Sequence, residues 1–173
     1  MRIYEHMRKV LVIGSGGAGK TTLAKCLAQR LNIDLIHLDS IYWKPGWVET
    51  PKADWARTVQ ELIERQAWII DGNYSGTLDV RIRACDTVVF LDMPRLVCLW
   101  RVAKRALLNW NRKRPEMAED CREKFNLEFM LWIWGYPGRT RPKVQALLRE
   151  NSQNKKIVLL RSQREVQEFL AGL

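Results

Sequence analysis

Residues 14–21 of the chain read Gly14-Ser15-Gly16-Gly17-Ala18-Gly19-Lys20-Thr21, which fits the pattern G-x-x-x-x-G-K-[ST]. The glycines let the backbone curl so that successive amide N–H groups can point at phosphate oxygens. In this pattern Lys20 reaches the β- and γ-phosphates of a nucleoside triphosphate, and the Thr21 hydroxyl is a ligand of Mg²⁺. The stretch predicts a phosphate-binding loop whose nucleotide-binding residues are Gly14, Ser15, Gly16, Gly17, Ala18, Gly19, Lys20, Thr21 and Thr22.

The sequence on either side of this loop has the order that such a loop requires. Residues 9–13 form a short apolar run, Lys-Val-Leu-Val-Ile, that fits a strand buried on both faces. After the loop, Leu23, Leu27 and Leu31 recur every four residues and define one apolar face of a helix. Because a flexible glycine linker would need neither neighbour, we expect a strand, loop and helix that bind a nucleoside triphosphate.

Five short apolar runs alternate with helical patterns along the chain. The runs predict strands at 9–13, 34–38, 68–71, 87–92 and 156–160, and residues such as Trp55, Val59 and Leu62 share helix faces between them. This alternation predicts an α/β fold, a P-loop NTPase of three layers (α/β/α) with a five-stranded parallel sheet. Ligands of such a sheet bind at the carboxyl ends of the strands. A length of 173 residues fits one domain over 1–173.

About sixty residues without a strand separate the fourth predicted strand from the fifth. They include a polar, charged piece at 111–124, an apolar run at 129–134 and a turn signal, Gly-Tyr-Pro-Gly, at 135–138. We expect a helical, lid-like insertion over 111–141 that closes over the site; a solvated helical hairpin is the alternative. The apolar run could pack internally or form a dimer contact, so both a monomer and a homodimer fit.

The net charge is +10, and it is unevenly distributed. Residues 95–149 hold thirteen Arg or Lys against five Asp or Glu. Such a surplus could meet nucleic acid, or it could neutralise charge at a phosphate-transfer site. No run approaches the roughly 18 apolar residues of a membrane span, so no membrane partner is expected. The four cysteines have no metal-binding spacing, which favours reduced thiols in a cytoplasmic protein.

Three aspartates, Asp39, Asp71 and Asp92, follow predicted strands and should therefore lie near the loop. Asp71 is the predicted second ligand of Mg²⁺, together with Thr21. For Asp92, a metal role and a helix cap before Pro94 remain equally open. Asp39 begins a loop that contains Trp43 and Trp47, which either line an acceptor pocket or cover the core. His37 is expected to pack within the strand.

Arginines are the candidate phosphate clamps, because the guanidinium group offers a planar fork of donors. Arg101 and Arg105 lie one helical turn apart and share a face. Arg139 and Arg141 follow the apolar run and are expected to return toward the same opening. Any one of them could equally be a solvated surface charge.

These residues together resemble the P-loop kinases of the adenylate kinase and shikimate kinase type. More closely, the chain resembles the family of DNA topology modulation (FlaR-like) proteins. The segments that carry the resemblance over nearly the full chain are 13–22, 37–39, 43–47 (Trp-Lys-Pro-Gly-Trp), 68–74 (Trp-Ile-Ile-Asp-Gly-Asn-Tyr), 91–95 and 101–105.

The resemblance implies ATP and Mg²⁺ as cofactors and gives roles to several residues. Arg101 and Arg105 would begin the lid and touch the adenine base and the phosphates, Asp71 would orient Mg²⁺-bound water, and Asp39 would hold the acceptor hydroxyl. The predicted catalytic residues are Lys20, Asp39, Arg101, Arg105 and Arg139. Nucleoside monophosphate kinases usually place an arginine soon after Asp-Gly. Here the nearest are Arg81 and Arg83, which argues against a monophosphate acceptor.

The leading functional prediction is an ATP-dependent phosphotransferase acting on a small-molecule or nucleotide acceptor. The alternative is a nucleotide-regulated DNA-binding protein that affects DNA topology without kinase activity. The sequence has no helix-turn-helix, zinc-finger or RNA-binding aromatic signature to favour that alternative. A GTPase is disfavoured because no Asn-Lys-x-Asp motif is present.

Overall fold

The computed structural model describes residues 7–110, Cys121 and residues 125–173 of the chain. Its centre is a five-stranded sheet in the order β2-β5-β1-β6-β7, and every pairing in that sheet is parallel. A separate antiparallel pair joins β3 to β4. The strands are β1 Lys9–Gly14, β2 Leu35–His37, β3 Trp43–Lys44, β4 Val48–Glu49, β5 Trp68–Asp71, β6 Thr87–Leu91 and β7 Lys156–Leu160.

Eight helices among the described residues connect these strands and cover the five-stranded sheet. They are α1 Lys20–Leu31, α2 Leu38–Tyr42, α3 Lys52–Glu64, α4 Leu78–Ala84, α5 Arg95–Leu108, α6 Leu127–Arg139, α7 Arg141–Glu150 and α8 Gln163–Ala171. No described helix has both the length and the apolar character needed to cross a bilayer. All four cysteines are free thiols.

The buried residues divide into two cores, one on each face of the sheet. Along β1, Leu11 and Ile13 pack with α3, α4 and α7, whereas Val10 and Val12 pack with α1, α5 and α8. This division follows from the strand geometry, in which successive side chains point to opposite faces. The three-layer α/β/α arrangement and the five predicted parallel strands are therefore confirmed.

The structure differs from the sequence prediction at three places. The second strand ends at His37, and α2 follows directly, so that Asp39 lies in a short helix and not in a loop. The β3–β4 pair was not predicted, because two-residue strands carry no periodic signal. The predicted turn at 135–138 is wrong: it lies inside α6, where burial of Ile133 and Tyr136 outweighs the weak helix propensity of glycine and proline.

The structure describes only part of the predicted lid-like insertion at 111–141. Residues 111–120 and 122–124 lie outside the described residues, while 127–139 form α6. Cys121 is buried, and its Sγ lies 3.6 Å from the Lys44 carbonyl oxygen in the β3–β4 pair. The lid stays a prediction.

A buried arginine holds the turn that follows β5. Arg81 in α4 is 0% exposed, and its guanidinium donates to the carbonyl oxygens of Gly72 (2.8 Å), Asn73, Tyr74 (2.9 Å) and Thr77 (3.2 Å). Burial lowers the pKa of Arg81 to about 9, so the group remains charged at neutral pH. Four backbone acceptors of one turn therefore depend on a single side chain.

We expect Arg81→Met to lower the free energy of unfolding by about 3 kcal/mol or more, because it leaves buried carbonyl oxygens unpaired. Arg83→Met is the matched control, since Arg83 lies two residues away in α4 and forms only an exposed pair with Asp79. It should change stability by less than about 0.5 kcal/mol. Denaturant unfolding of the two variants checks the prediction, and equal losses would contradict the assigned role of Arg81.

Candidate phosphate and acceptor site

The glycine loop between β1 and α1 is shaped by two close approaches of neighbouring helices. A Cβ atom at Gly17, where φ is +75°, would lie 2.4 Å from the carbonyl oxygen of Cys98 in α5. A Cβ atom at Gly16 would lie 2.4 Å from Phe129 Cζ and 3.2 Å from Ile133 Cδ1 in α6. Glycine is therefore required at Gly17 by both the close backbone carbonyl and the positive φ, whereas at Gly16 the neighbours are the ends of side chains.

Inside the loop, the predicted phosphate-binding side chains bond to the loop itself. Lys20 Nζ donates to the Ser15 carbonyl oxygen at 2.9 Å, across the curve of the loop. The Ser15 hydroxyl is buried and has no hydrogen-bond partner among the described residues. Thr22, the last residue of the predicted nucleotide-binding set, is exposed on the first turn of α1. The lysine and the loop amides thus lie together at the positive end of the α1 dipole.

The two predicted metal ligands lie side by side at the carboxyl end of the sheet. Thr21 Oγ1 donates to Asp71 Oδ2 at 2.7 Å. Asp71 ends β5 and pairs in register with Val12 of β1, which places its carboxylate beside the loop. Its other oxygen, Oδ1, is buried without a hydrogen-bond partner among the described residues. A hydroxyl and an unpaired buried carboxylate oxygen are hard oxygen donors, and they fit Mg²⁺.

Two further residues join this cluster that the sequence did not identify as functional. His37 lies in β2, as expected, and its Nδ1 also lies 3.2 Å from Asp71 Oδ2. Asn73 accepts from the Gly14 amide at 3.1 Å and donates to the Gly14 carbonyl oxygen at 2.6 Å. His37 meets Asp71 because the two residues pair in register at the ends of neighbouring strands, and the sequence carries no signal of that pairing. Asn73 fastens the start of the phosphate loop to the turn after β5.

Asp39 is held by a tyrosine from that same turn. Tyr74 donates its phenolic hydrogen to Asp39 Oδ1 at 2.7 Å. Burial, reinforced by the Asp39 carboxylate, raises the pKa of Tyr74 above its ordinary value. The phenol is therefore protonated, and the hydrogen bond persists, throughout the neutral range. Asp39 is thus oriented by the turn after β5, whereas the Asp71 carboxylate is held by Thr21 of α1 and His37 of β2.

The predicted arginines divide into two groups. Arg101 Nη1 donates to the Ala18 carbonyl oxygen at 3.2 Å and Nη2 donates to Gln163 Oε1 at 3.0 Å, so this side chain joins the phosphate loop to α8. Arg105 is half-buried one turn later in α5. Arg139 is exposed at the end of α6, and no hydrogen bond or ion pair among the described residues connects it to the loop.

Asp92 has a structural partner and does not cap a helix. Helix α5 begins after Pro94 without a side-chain cap, which excludes the predicted capping role. Arg141 lies 2.8 Å from Asp92 Oδ2, and Arg161 lies 3.9 Å from the same oxygen. This ion pair ties α7 to the carboxyl end of β6, where Leu91 pairs in register with Gly14, so it does not contradict the expectation that Arg141 returns toward the opening.

Three solved kinase structures align with nearly the whole chain. A shikimate kinase structure from Acinetobacter baumannii, in complex with shikimate, aligns with TM-score 0.59 and 18% identity, over 97% of this chain and 91% of that chain. A shikimate kinase from Bacteroides thetaiotaomicron aligns with TM-score 0.53 and 20% identity, over 95% of each chain. An unliganded sugar kinase from a Janibacter species gives TM-score 0.52 and 18% identity, over 95% of this chain and 93% of that one.

The chain has the P-loop kinase fold. At these identities the likeness establishes the fold alone. No family model matches the chain, and no curated protein matches it. The resemblance to the DNA topology modulation proteins therefore stays a prediction.

The close packing of α5 on the phosphate loop generates a stability prediction. Gly17→Ala should lower the free energy of unfolding by about 3 kcal/mol, because the new methyl group adds a clash with the Cys98 carbonyl to the strain of a positive φ. Gly46→Ala is the matched control: its φ is +77°, but nothing lies within 4 Å of the added atom. The free energy of unfolding of Gly46→Ala should fall by only about 1 kcal/mol. Equal losses in denaturant unfolding would show that the loop is not seated on α5.

Proposed function

We propose that the protein transfers the γ-phosphoryl group of ATP to the hydroxyl of a small acceptor, with Mg²⁺ as its cofactor. The observation that carries this proposal is the Thr21 hydroxyl, which lies 2.7 Å from the buried Asp71 carboxylate directly after the glycine loop and Lys20. A loop of amides, a lysine, a hydroxyl and a carboxylate at one sheet edge are the parts that phosphoryl transfer uses.

The nucleotide lies along the loop in this proposal. Lys20 exchanges its bond with the Ser15 carbonyl for oxygens of the β- and γ-phosphates, which costs little because both acceptors lie at the same loop. Arg101, which spans from the loop to Gln163, and Arg105 behind it line the side where the base and the phosphates are expected. Thr21 and Asp71 would hold Mg²⁺, which when bound neutralises charge on the phosphates.

The acceptor lies at Asp39 in this proposal. Its hydroxyl oxygen forms a bond to the γ-phosphorus, while the bond from that phosphorus to the β,γ-bridging oxygen breaks and ADP leaves. The hydroxyl proton passes to the Asp39 carboxylate and then to water. Lys20 and the arginines stabilise the transferring group by position and charge, since this chemistry needs little covalent assistance.

The proposed metal site is tested by nucleotide binding without any turnover. Thr21→Val should weaken binding of Mg·ATP by at least about 10-fold and leave binding of metal-free ATP nearly unchanged, because the variant lacks only a hydroxyl ligand. Thr21→Ser keeps the hydroxyl and is the matched control. Isothermal titration with and without Mg²⁺ measures the difference, and an equal loss in both conditions would exclude a metal role for Thr21.

The proposed reaction is tested by mass-spectrometric detection of a phosphorylated product from Mg·ATP across nucleosides, nucleotides and hydroxyl metabolites. Lys20→Ala should lower transfer roughly 100-fold or more without unfolding the protein, because it removes a charge-stabilising donor. Asp39→Asn should lower transfer far more than it lowers ATP affinity.

Two results would contradict this assignment. Unchanged turnover in Lys20→Ala would show that the glycine loop is not the reaction site. Equal losses of transfer and of ATP affinity in Asp39→Asn would show that Asp39 serves the nucleotide and not the acceptor.

A further inference from the structure

The arginines that follow Asp71-Gly72 in the sequence are both committed to the protein itself. Arg81 is fully buried and donates to four backbone carbonyl oxygens, so it has no access to a ligand. Arg83 lies on the exposed side of α4 and pairs with Asp79 at 2.8 Å. Neither Arg81 nor Arg83 is therefore placed to bind a phosphate group of an acceptor. The turn after β5 instead presents a phenol, Tyr74.

Tyr74 is built into this turn so that its hydroxyl meets Asp39. Its φ is +35°, a conformation that side-chain-bearing residues seldom adopt, and Arg81 holds its carbonyl oxygen in that position. Its ring packs 4.6 Å from Tyr42 and 5.0 Å from Trp55, centroid to centroid. The phenol therefore has one place to donate, and it fixes one oxygen of the Asp39 carboxylate at 2.7 Å.

Aromatic side chains continue outward from this pair along the β3–β4 hairpin. Tyr42 lies 5.1 Å from Trp43, and Trp43 lies 5.3 Å from Trp47. Both tryptophans are half-buried, so each leaves part of its surface accessible. Trp47 has a φ of +64°, and it follows Gly46 in the turn of the hairpin. The result is an apolar wall next to a carboxylate.

A carboxylate beside an apolar aromatic wall should bind an acceptor with hydroxyl groups in preference to a negatively charged acceptor. A carboxylate accepts hydrogen bonds from hydroxyls, and an indole face covers the apolar C–H face of a ring. A phosphate at the same place would meet the Asp39 charge with no arginine from the β5 turn to offset it. The exposed Lys44 on the hairpin is too solvated to supply a comparable clamp.

We infer that the phosphoryl acceptor is an uncharged polyhydroxyl compound, a nucleoside or a free sugar, that binds a hydroxyl at Asp39 and rests an apolar face on Trp43 and Trp47. Tyr74 is the positioning residue for Asp39. The inference rests on the proposed function. The transfer step is the one given above for the proposed function: the acceptor oxygen bonds to the γ-phosphorus, ADP leaves, and the hydroxyl proton goes to Asp39.

The experiment measures binding to the whole protein saturated with Mg·ADP, so that the nucleotide site is already filled. Matched pairs are titrated by calorimetry: uridine and thymidine against their 5′-monophosphates, and hexoses against hexose 6-phosphates. The neutral member of at least one pair should bind at least about 10-fold more tightly than its phosphate. Binding within a nucleoside pair or within a hexose pair shows whether the acceptor is a nucleoside or a free sugar.

Variants then test the role of Tyr74 with the neutral ligand that binds. Tyr74→Phe should lower kcat about 10-fold and leave the KM for ATP unchanged, because only the orientation of Asp39 is lost. Tyr136→Phe is the matched control, since the Tyr136 phenol is buried in the core and has no hydrogen-bond partner among the described residues. It should leave both constants unchanged, and equal effects of the two variants would exclude a positioning role.

The remaining outcomes separate this inference from the proposed function. Tighter binding of the phosphorylated members would overturn the uncharged acceptor while leaving a Lys20-dependent kinase intact. Absence of binding by every pair, with Mg·ADP bound, would overturn the inference as well. Failure of the protein to bind Mg·ADP or Mg·ATP at all would instead contradict the proposed function.

Discussion

The guanidinium of Arg81 holds the turn on which the whole candidate site depends. It bonds to the carbonyl oxygens of Gly72, Asn73 and Tyr74 in succession, and so fixes the direction of each following side chain. From this turn Asp71 reaches Thr21, Asn73 reaches Gly14, and Tyr74 reaches Asp39. The phosphate loop and Asp39 are therefore both fastened to a turn that one buried charge holds, and Asp71 directly precedes that turn at the end of β5.

An arginine suits this position better than a lysine for geometric reasons. Its planar fork carries five N–H donors in fixed directions, whereas an ammonium group carries three on a flexible stem. The burial of a cation without a carboxylate partner is costly, and here four carbonyl dipoles offset that cost. The arrangement also explains why Tyr74 can remain at a positive φ, since backbone strain persists only where the surroundings over-determine it.

The sequence predicted those features that depend on local pattern. The glycine loop, the five strands and the closeness of Thr21 to Asp71 all follow from short-range signals combined with the parallel-sheet rule. The roles of Arg81, Asn73 and His37 could not be read in this way, because each depends on which backbone group lies opposite in space. Tyr136 illustrates the same limit: a Gly-Tyr-Pro-Gly stretch remained helical because its tyrosine is buried in the core.

The phosphate loop also contacts the helices around it. Lys20 bonds across the loop to the Ser15 carbonyl oxygen, while Gly17 lies against the backbone of α5 without room for a side chain and Gly16 lies against side chains of α6. Arg101 adds a third connection, from Ala18 to Gln163 in α8. Because protein interiors are closely packed, α5 has no free space at Gly17 in which to move toward the loop.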